Sequence, residues 1–359
     1  MTPKNKLRLL RLALLTVAVA VSLLILEFAV RVLFPYYNPQ SKDQIVFHFD
    51  ENGVPLGPEN QTIRQRSPQG DYDLKVTFNK FGMRDSKDMT TATASDWFVV
   101  GDSFGMGWGV EETNRFSDVL DRAAPFQVFN ICIPTDIAGY GQLVEYAEQH
   151  GPTISNLLIS ICLENDLRDY YRDKPSAAPP TKTPKKEVLR DFAKRHSALY
   201  LFLATELQQS ATLRRFFQAV GIARKRESRD LMHYNSYDEV AIHYSVELLN
   251  KLTSGKPRVV VLIIPSRALW IGNSRDVEAK VHDMFVSEVK KGNIDIIDMR
   301  PAFESTGDPM RYHFATDGHW NAAGHELAGR LLAEHILAGQ QTPTSDSTQN
   351  VAVQDGATP

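Results

Sequence analysis

The chain has 359 residues, 43% of them hydrophobic, and a formal net charge of −3. That length holds one large domain or two smaller ones, and the near-neutral balance argues against a polyanion-binding protein, so no nucleic-acid partner is expected. The two cysteines, Cys132 and Cys162, exclude a disulfide scaffold and a cysteine-rich metal cluster.

The N-terminus opens with Lys4, Lys6, Arg8 and Arg11 before an uncharged run from Leu12 to Leu26. Continued past Glu27 to Val30, the run is long enough to cross a bilayer as a helix. Basic residues on its N-terminal side place that end in the cytoplasm and the rest of the chain across the membrane, on the periplasmic side in a Gram-negative source. Residues 1–35 therefore read as a cytoplasmic stub and a single-pass anchor in the cytoplasmic (inner) membrane. Ala18-Val19-Ala20 has the pattern of a signal-peptidase site, but the apolar run continues through it, which favours an uncleaved anchor. Glu27 and Arg31, four apart on one helical face, read as a local ion pair near the outer interface.

Residues 36–94 form a lead segment of short alternating runs between Gly, Pro, Asn and Asp turns. Ile45–Phe49 and Tyr72–Val76 read as strands, and Asn79–Arg84 as a strand followed by a glycine turn. This segment is expected to pack on the main domain, residues 95–338.

That domain begins with a buried strand, Trp97–Val100, ending abruptly in Gly101-Asp102-Ser103. A helix follows over Arg115–Ala123, then an apolar run over Phe126–Ile133, a loop with Gly139-Tyr140-Gly141 and a second helix to about His150. Asn156–Leu163 is a third strand, ending in Glu164-Asn165-Asp166. Residues 258–264 and Ile294–Asp298 are the fourth and fifth, and Asn321–Ile336 is a closing helix. Strands alternating with helices at this spacing give an α/β protein with a parallel five-stranded sheet. In a flavodoxin-like order Cys132 and Cys162 would be separated by the first strand, so two buried thiols are expected rather than a disulfide. An insertion at 171–256 interrupts the sheet. It opens with a Pro- and Lys-rich linker, continues in helical segments at 187–208, 210–219 and 237–252, and is locally basic around Arg214 and Arg224. Residues 339–359 lack periodicity and read as a disordered tail.

A serine at the carboxyl end of a strand stands where open α/β sheets place their ligand crevice. Alone, Gly-Asp-Ser is equally a turn, because those residues favour turns for local reasons. Near the other end stands Thr316-Asp317-Gly318-His319-Trp320-Asn321. Serine acyl transfer needs an imidazole base and a carboxylate to hold its tautomer, and Asp317 and His319 could supply both. Alone, this pair could equally be a capping aspartate beside a packed histidine. His313 is a rival base, and His325 reads as structural. Trp108 and Trp320 flank the motifs, fit either for stacking on a sugar or for core packing.

Together, Gly101-Asp102-Ser103, Glu164-Asn165-Asp166 and Asp317-Gly318-His319 resemble the SGNH (GDSL-type) hydrolase superfamily. The Asp-x-His-Trp-Asn pattern, Pro265-Ser266-Arg267 and Asp298-Met299-Arg300 are similar to its membrane-anchored branch of alginate O-acetyltransferase-like proteins. The resemblance implies a flavodoxin-like three-layer sandwich. It also implies Ser103 as nucleophile, His319 as general base and Asp317 as the orienting carboxylate. The oxyanion hole would be the Ser103 N–H, the Asn165 amide and the N–H of Gly139, with Gly141 as second choice. No cofactor or metal is implied. Leu163 stands where the family's third block has glycine, and Asn130–Thr135 lacks the usual glycine of the second. Gly101-Asp102-Ser103-Phe104-Gly105 also fits the elbow of α/β-hydrolases, but too few strands precede it. The expected function is extracytoplasmic ester hydrolysis or O-acetyl transfer on an acylated carbohydrate. The alternative is a non-catalytic protein that binds glycan or partners in polysaccharide assembly.

Overall fold

A computed structural model describes residues 3–34, 37–39, 45–67, 70–168, 192–193, 195–209, 219, 239–272 and 274–341. Helix α1 (Pro3–Leu33) is exposed along nearly its whole length. Its stretch Asn5–Leu33 is long and apolar enough to cross a membrane.

The lead segment holds two small antiparallel pairs. The first joins β1 (His48–Phe49) to β2 (Pro55–Leu56), and the second joins β3 (Thr62–Arg66) to β4 (Asp73–Thr77). In β3 and β4 buried and exposed residues alternate, so Ile63, Gln65, Leu74 and Val76 face inward. Residues 79–84 form no strand. The Asn79 side chain accepts hydrogen bonds from the Phe81 and Met83 N–H groups and folds the segment into a turn. That competition between side chain and ladder is characteristic of asparagine.

The main sheet contains β5 (Trp97–Gly101), β6 (Val128–Asn130), β7 (Asn156–Cys162), β8 (Arg258–Ile264) and β9 (Asp295–Asp298). All pairings are parallel and the order is β6-β5-β7-β8-β9. This is the flavodoxin-like order expected from the sequence. Every residue of β5 and β7 is buried, as central strands covered on both faces must be. The pairing of β6 is shorter than the apolar run that announced it.

The helices fall between the strands. They are α2 (Ser103–Met106), α3 (Phe116–Ala123), α4 (Ile137–Gln149), α5 (Ala198–Gln209), α6 (Glu239–Thr253), α7 (Arg275–Lys291), α8 (Met299–Glu304) and α9 (Ala322–Gln341). Helix α3 buries Phe116, Val119 and Leu120 against α9, on the side its spacing foretold. Helix α9 reaches Gln341, so the tail expected from 339 begins no earlier than 342. Within the insertion, α5 and α6 answer to two of the expected helices. The linker, the segment 210–218 and the basic run lie outside the described residues. Cys132 and Cys162 are both free and buried.

Lead segment and domain are joined through Arg84, itself buried. Its guanidinium donates to the carbonyls of Met106, Gly107 and Val110, just beyond the Ser103 turn. Arg115 in turn donates to the Arg84 carbonyl.

Candidate active site

The site is built at the carboxyl ends of β5 and β7. Strand β5 ends in Gly101, where a Cβ would collide with the Ser160 side chain of β7. Only glycine lets the two strands stay paired to their ends. Asp102 then caps α2, accepting from the Phe104 N–H at 2.8 Å through Oδ1. This puts Ser103 at the first position of the helix, where its N–H has no intrahelical acceptor. Gly107 closes the turn with φ 81°, a left-handed cap that β-carbons disfavour.

The other half of the site is the loop 313–321. Phe314 donates its N–H to the His319 carbonyl, and His313 pairs with Trp320 as an isolated bridge. Asn321 receives the N–H groups of Ala323 and Gly324 at the start of α9. The loop is thereby pinned at its base, and its tip carries Asp317 and His319.

The halves meet. Ser103 Oγ lies 2.8 Å from His319 Nε2, and His319 Nδ1 lies 2.5 Å from Asp317 Oδ1. The same carboxylate oxygen receives the His319 N–H at 2.9 Å. Burial tends to raise the Asp317 pKa. Hydrogen bonds from the His319 ring and N–H, the charge of that ring and a hydrogen bond from Tyr72 outweigh it and hold the value at about 2. The carboxylate therefore stays ionised. The arrangement can take a proton from the serine hydroxyl and stabilise the resulting imidazolium.

The sequence did not reveal two contributors from the lead segment. Tyr72 donates to Asp317 Oδ2 at 3.0 Å and accepts from Trp108 Nε1 at 2.6 Å. Asp71 accepts the N–H groups of Thr316 and Asp317, and the Thr316 hydroxyl. These contacts span about 245 residues of chain, beyond the reach of any local pattern. Trp108 stacks on the His319 ring with centroids 5.7 Å apart, and the Phe104 ring lies tilted against it at 4.8 Å.

The third block is placed by the first. Asn165 Nδ2 donates to Asp102 Oδ2 at 2.9 Å, so the capping aspartate also fixes this amide. Asp102 is fully buried, and burial raises its pKa against the pull of the Asn165 and Phe104 donors. Glu164 pairs with Arg267, whose guanidinium lies against Gly318 on the histidine loop. Asp166 accepts from the Tyr140 hydroxyl at 3.0 Å.

Gly139 does not stand free as an oxyanion donor. It lies in the first turn of α4, and its N–H donates to the capping Asp136 at 2.9 Å. Gly141 lies further along the same helix. Trp320 is fully buried against Phe104 and Phe303, a core residue rather than a sugar platform. His313 and His325 are buried too. Burial, with the nearby Arg267 for the first and Arg115 and Arg84 for the second, pushes each to about 3. A separate cavity lined by Trp97, Arg258, Asp295 and His335 opens at the amino ends of the strands, away from Ser103.

Fold and constellation together define a class of chemistry: a parallel sheet that presents a serine, an imidazole and a carboxylate in line at its carboxyl edge, the arrangement serine acyl transfer requires. Residues 247–358 match the family model described as the SGNH hydrolase-like domain of the acetyltransferase AlgX. The match covers the C-terminal part of the domain, which carries Asp317 and His319, and the geometry brings Ser103 to it. No curated protein matches the chain. Among solved structures the chain is similar to the lipase/acylhydrolase from Enterococcus faecalis, at 13% identity and a TM-score of 0.40, over 70% of this chain and 98% of that one. It is similar to the psychrotrophic esterase EstA from Pseudoalteromonas sp., at 11% identity and a TM-score of 0.38, over 69% and 99%. A carbohydrate esterase structure is similar over 84% and 85%, at 13% identity and a TM-score of 0.37.

Proposed function

We propose that this protein is a membrane-anchored, extracytoplasmic enzyme that removes or transfers a small acyl group, acetyl above all, on a carbohydrate. The observation that carries the chemistry is the unbroken chain of contacts from Ser103 Oγ through the His319 ring to Asp317. Ser103 Oγ attacks the ester carbonyl carbon while its proton passes to His319 Nε2. The carbonyl π electrons move to oxygen, and that oxyanion is met by the Ser103 N–H and the Asn165 amide. The Asn165 amide keeps one N–H for this purpose after donating the other to Asp102. Within the second block, Ile131, Cys132 and Ile133 have their N–H groups bonded, and Pro134 has none. That leaves the Thr135 N–H as the donor of that block, and we assign it to the oxyanion in place of Gly139. Collapse of the intermediate breaks the bond to the alkoxy oxygen, which leaves with the proton from His319. Water or a sugar hydroxyl then repeats the steps on the acyl-enzyme, its proton again going to Nε2.

The apolar helix with basic residues before it supports an anchor with the enzyme on the outer face. The match to an acetyltransferase domain supports an acetyl group, and the Trp108 and Phe104 rings beside His319 support a sugar as its carrier. The test is hydrolysis of p-nitrophenyl acetate by the purified protein, together with acetyl transfer to or from an oligosaccharide followed by mass. Ser103→Ala should abolish both. Hydrolysis unchanged in that variant would reject the reading, and hydrolysis of the probe with no acetylated glycan accepted would confine it to the chemistry.

A further inference from the structure

The contacts of the anchor point to a second membrane element. Helix α5 begins Ala198-Leu-Tyr-Leu-Phe-Leu-Ala204, seven residues without a charge. Leu203 is exposed, and Leu199, Tyr200, Leu201 and Phe202 are only half-buried. Among the described residues only α1 covers this apolar helix, and its remaining apolar side chains call for another apolar medium.

What holds it is the anchor itself. Glu27 of α1 caps the start of α5. Its carboxylate accepts from the Ser197 hydroxyl at 2.8 Å, the Ala198 N–H at 2.8 Å and the Leu199 N–H at 2.9 Å. Arg31 pairs with Glu27 at 2.7 Å and donates to the His196 carbonyl at 2.8 Å and to Asn38 at 3.0 Å. Phe34 stacks on Phe202 with centroids 5.1 Å apart, and Tyr37 meets the same ring edge-on at 5.2 Å. Val30, on this face, is buried and Ala29 half-buried, whereas the large apolar side chains before them on α1 are exposed. A carboxylate at a helix N-terminus satisfies open N–H groups and faces the positive end of the helix dipole. The two charged residues that interrupt the anchor are thus a keyed socket for a distant segment.

We infer that α5 is an interfacial membrane helix, seated in the outer leaflet beside the anchor and locked there by Glu27. Glu27 precedes the end of α1 by six residues, about 9 Å along the axis at 1.5 Å per residue. That depth falls where the acyl chains give way to headgroups. Charged side chains at this level are satisfied by each other and by the backbone, and the apolar side chains of α5 face lipid. The insertion leaves the sheet just after Asn165 and Asp166, so the lock belongs to the same insertion that follows the rim of the proposed site. The inference rests on the reading of α1 as a spanning anchor.

The experiment uses the full chain in phosphatidylcholine–phosphatidylglycerol vesicles. Single cysteines carry an environment-sensitive fluorophore at Leu203→Cys, at Leu14→Cys within α1, and at Lys290→Cys on the exposed side of α7. The native thiols are buried and remain unlabelled. Quenching by lipids spin-labelled at shallow depth is expected at position 203, by deep-labelled lipids at 14, and by neither at 290. Adding Glu27→Leu, which makes the anchor more apolar, should reduce quenching at 203 to the level of 290 while 14 is unchanged. Quenching at 14 without quenching at 203 overturns the inference and spares the anchor. Quenching at 203 that persists in Glu27→Leu overturns the lock. Absence of quenching at 14 overturns the anchor reading itself.

Discussion

Tyr72 shows how a single hydroxyl can join the lead segment to the triad. It is the one side-chain donor on the outer oxygen of Asp317 among the described hydrogen bonds, and Trp108 holds it in place. Removing that hydroxyl leaves the carboxylate with the His319 bonds alone. A hydrogen bond to a charged group contributes about 1.5–3 kcal/mol, so Tyr72→Phe should lower kcat roughly 10- to 100-fold with little change in KM on p-nitrophenyl acetate. An unchanged kcat would make Tyr72 a packing residue. Asn165→Ala should cost more, about 10²–10³ in kcat, if its amide meets the developing oxyanion. The convergence of Ser103, Asp317 and His319, with Asn165 placed beside them by Asp102, was legible because each sits at a strand end or before a helix, within a short recognisable spacing. Tyr72 and Asp71 were not, because a tyrosine beside an aspartate in a turn-rich segment carries no local signal. Gly139 misled for a related reason. A glycine in the right stretch suggested an open N–H, but Asp136 three residues earlier is a helix-capping side chain that uses it.

At the level of elements, the central strands were the easiest to read. β5, β7 and β8 are nearly continuous apolar runs because both their faces are covered. The elements that turn on side-chain capping were harder: the Asn79 turn and the seating of α5 on α1. Helix α7 carries a further element-scale consequence. Its Glu278 is buried behind the turn that presents Arg267, with one oxygen lacking a partner among the described residues. Burial, helped by the charge of Glu164 and opposed by Ser266, raises its pKa from 4.5 to about 7. The folded state therefore binds more protons than the unfolded state between about pH 4.5 and 7, and stability falls as pH rises through that window. Glu278→Gln removes the penalty. The variant should unfold at higher urea than the parent at pH 8, by at most about 3 kcal/mol, and match it near pH 4.5. A difference that does not depend on pH would contradict this account. Arg84→Leu acts in the opposite direction. It leaves the carbonyls of Met106, Gly107 and Val110 without their donor, and should lower unfolding free energy by about 2–4 kcal/mol in the same titration.

For the whole molecule, parallel strand order is what turns three weak motifs into one site. Gly101-Asp102-Ser103 and Glu164-Asn165-Asp166 end adjacent strands, and the chain returns to that edge only after β8 and β9, through a loop pinned by the lead segment and by α9. The lead segment is thus part of the site's frame and not a mere spacer between α1 and the sheet. Asp317, held at about 2, remains ionised through any ordinary assay range, so it adds no acid limb above about pH 3 to the rate. The central claim is that Ser103 is an activated nucleophile because His319 and Asp317 stand behind it. The most direct measurement is covalent capture: the full chain is treated with a fluorophosphonate and the adduct mapped by peptide mass. The account predicts a single adduct on Ser103, lost in His319→Ala although the hydroxyl is still present. An adduct on another residue, or one on Ser103 that forms equally fast without the imidazole, would contradict it.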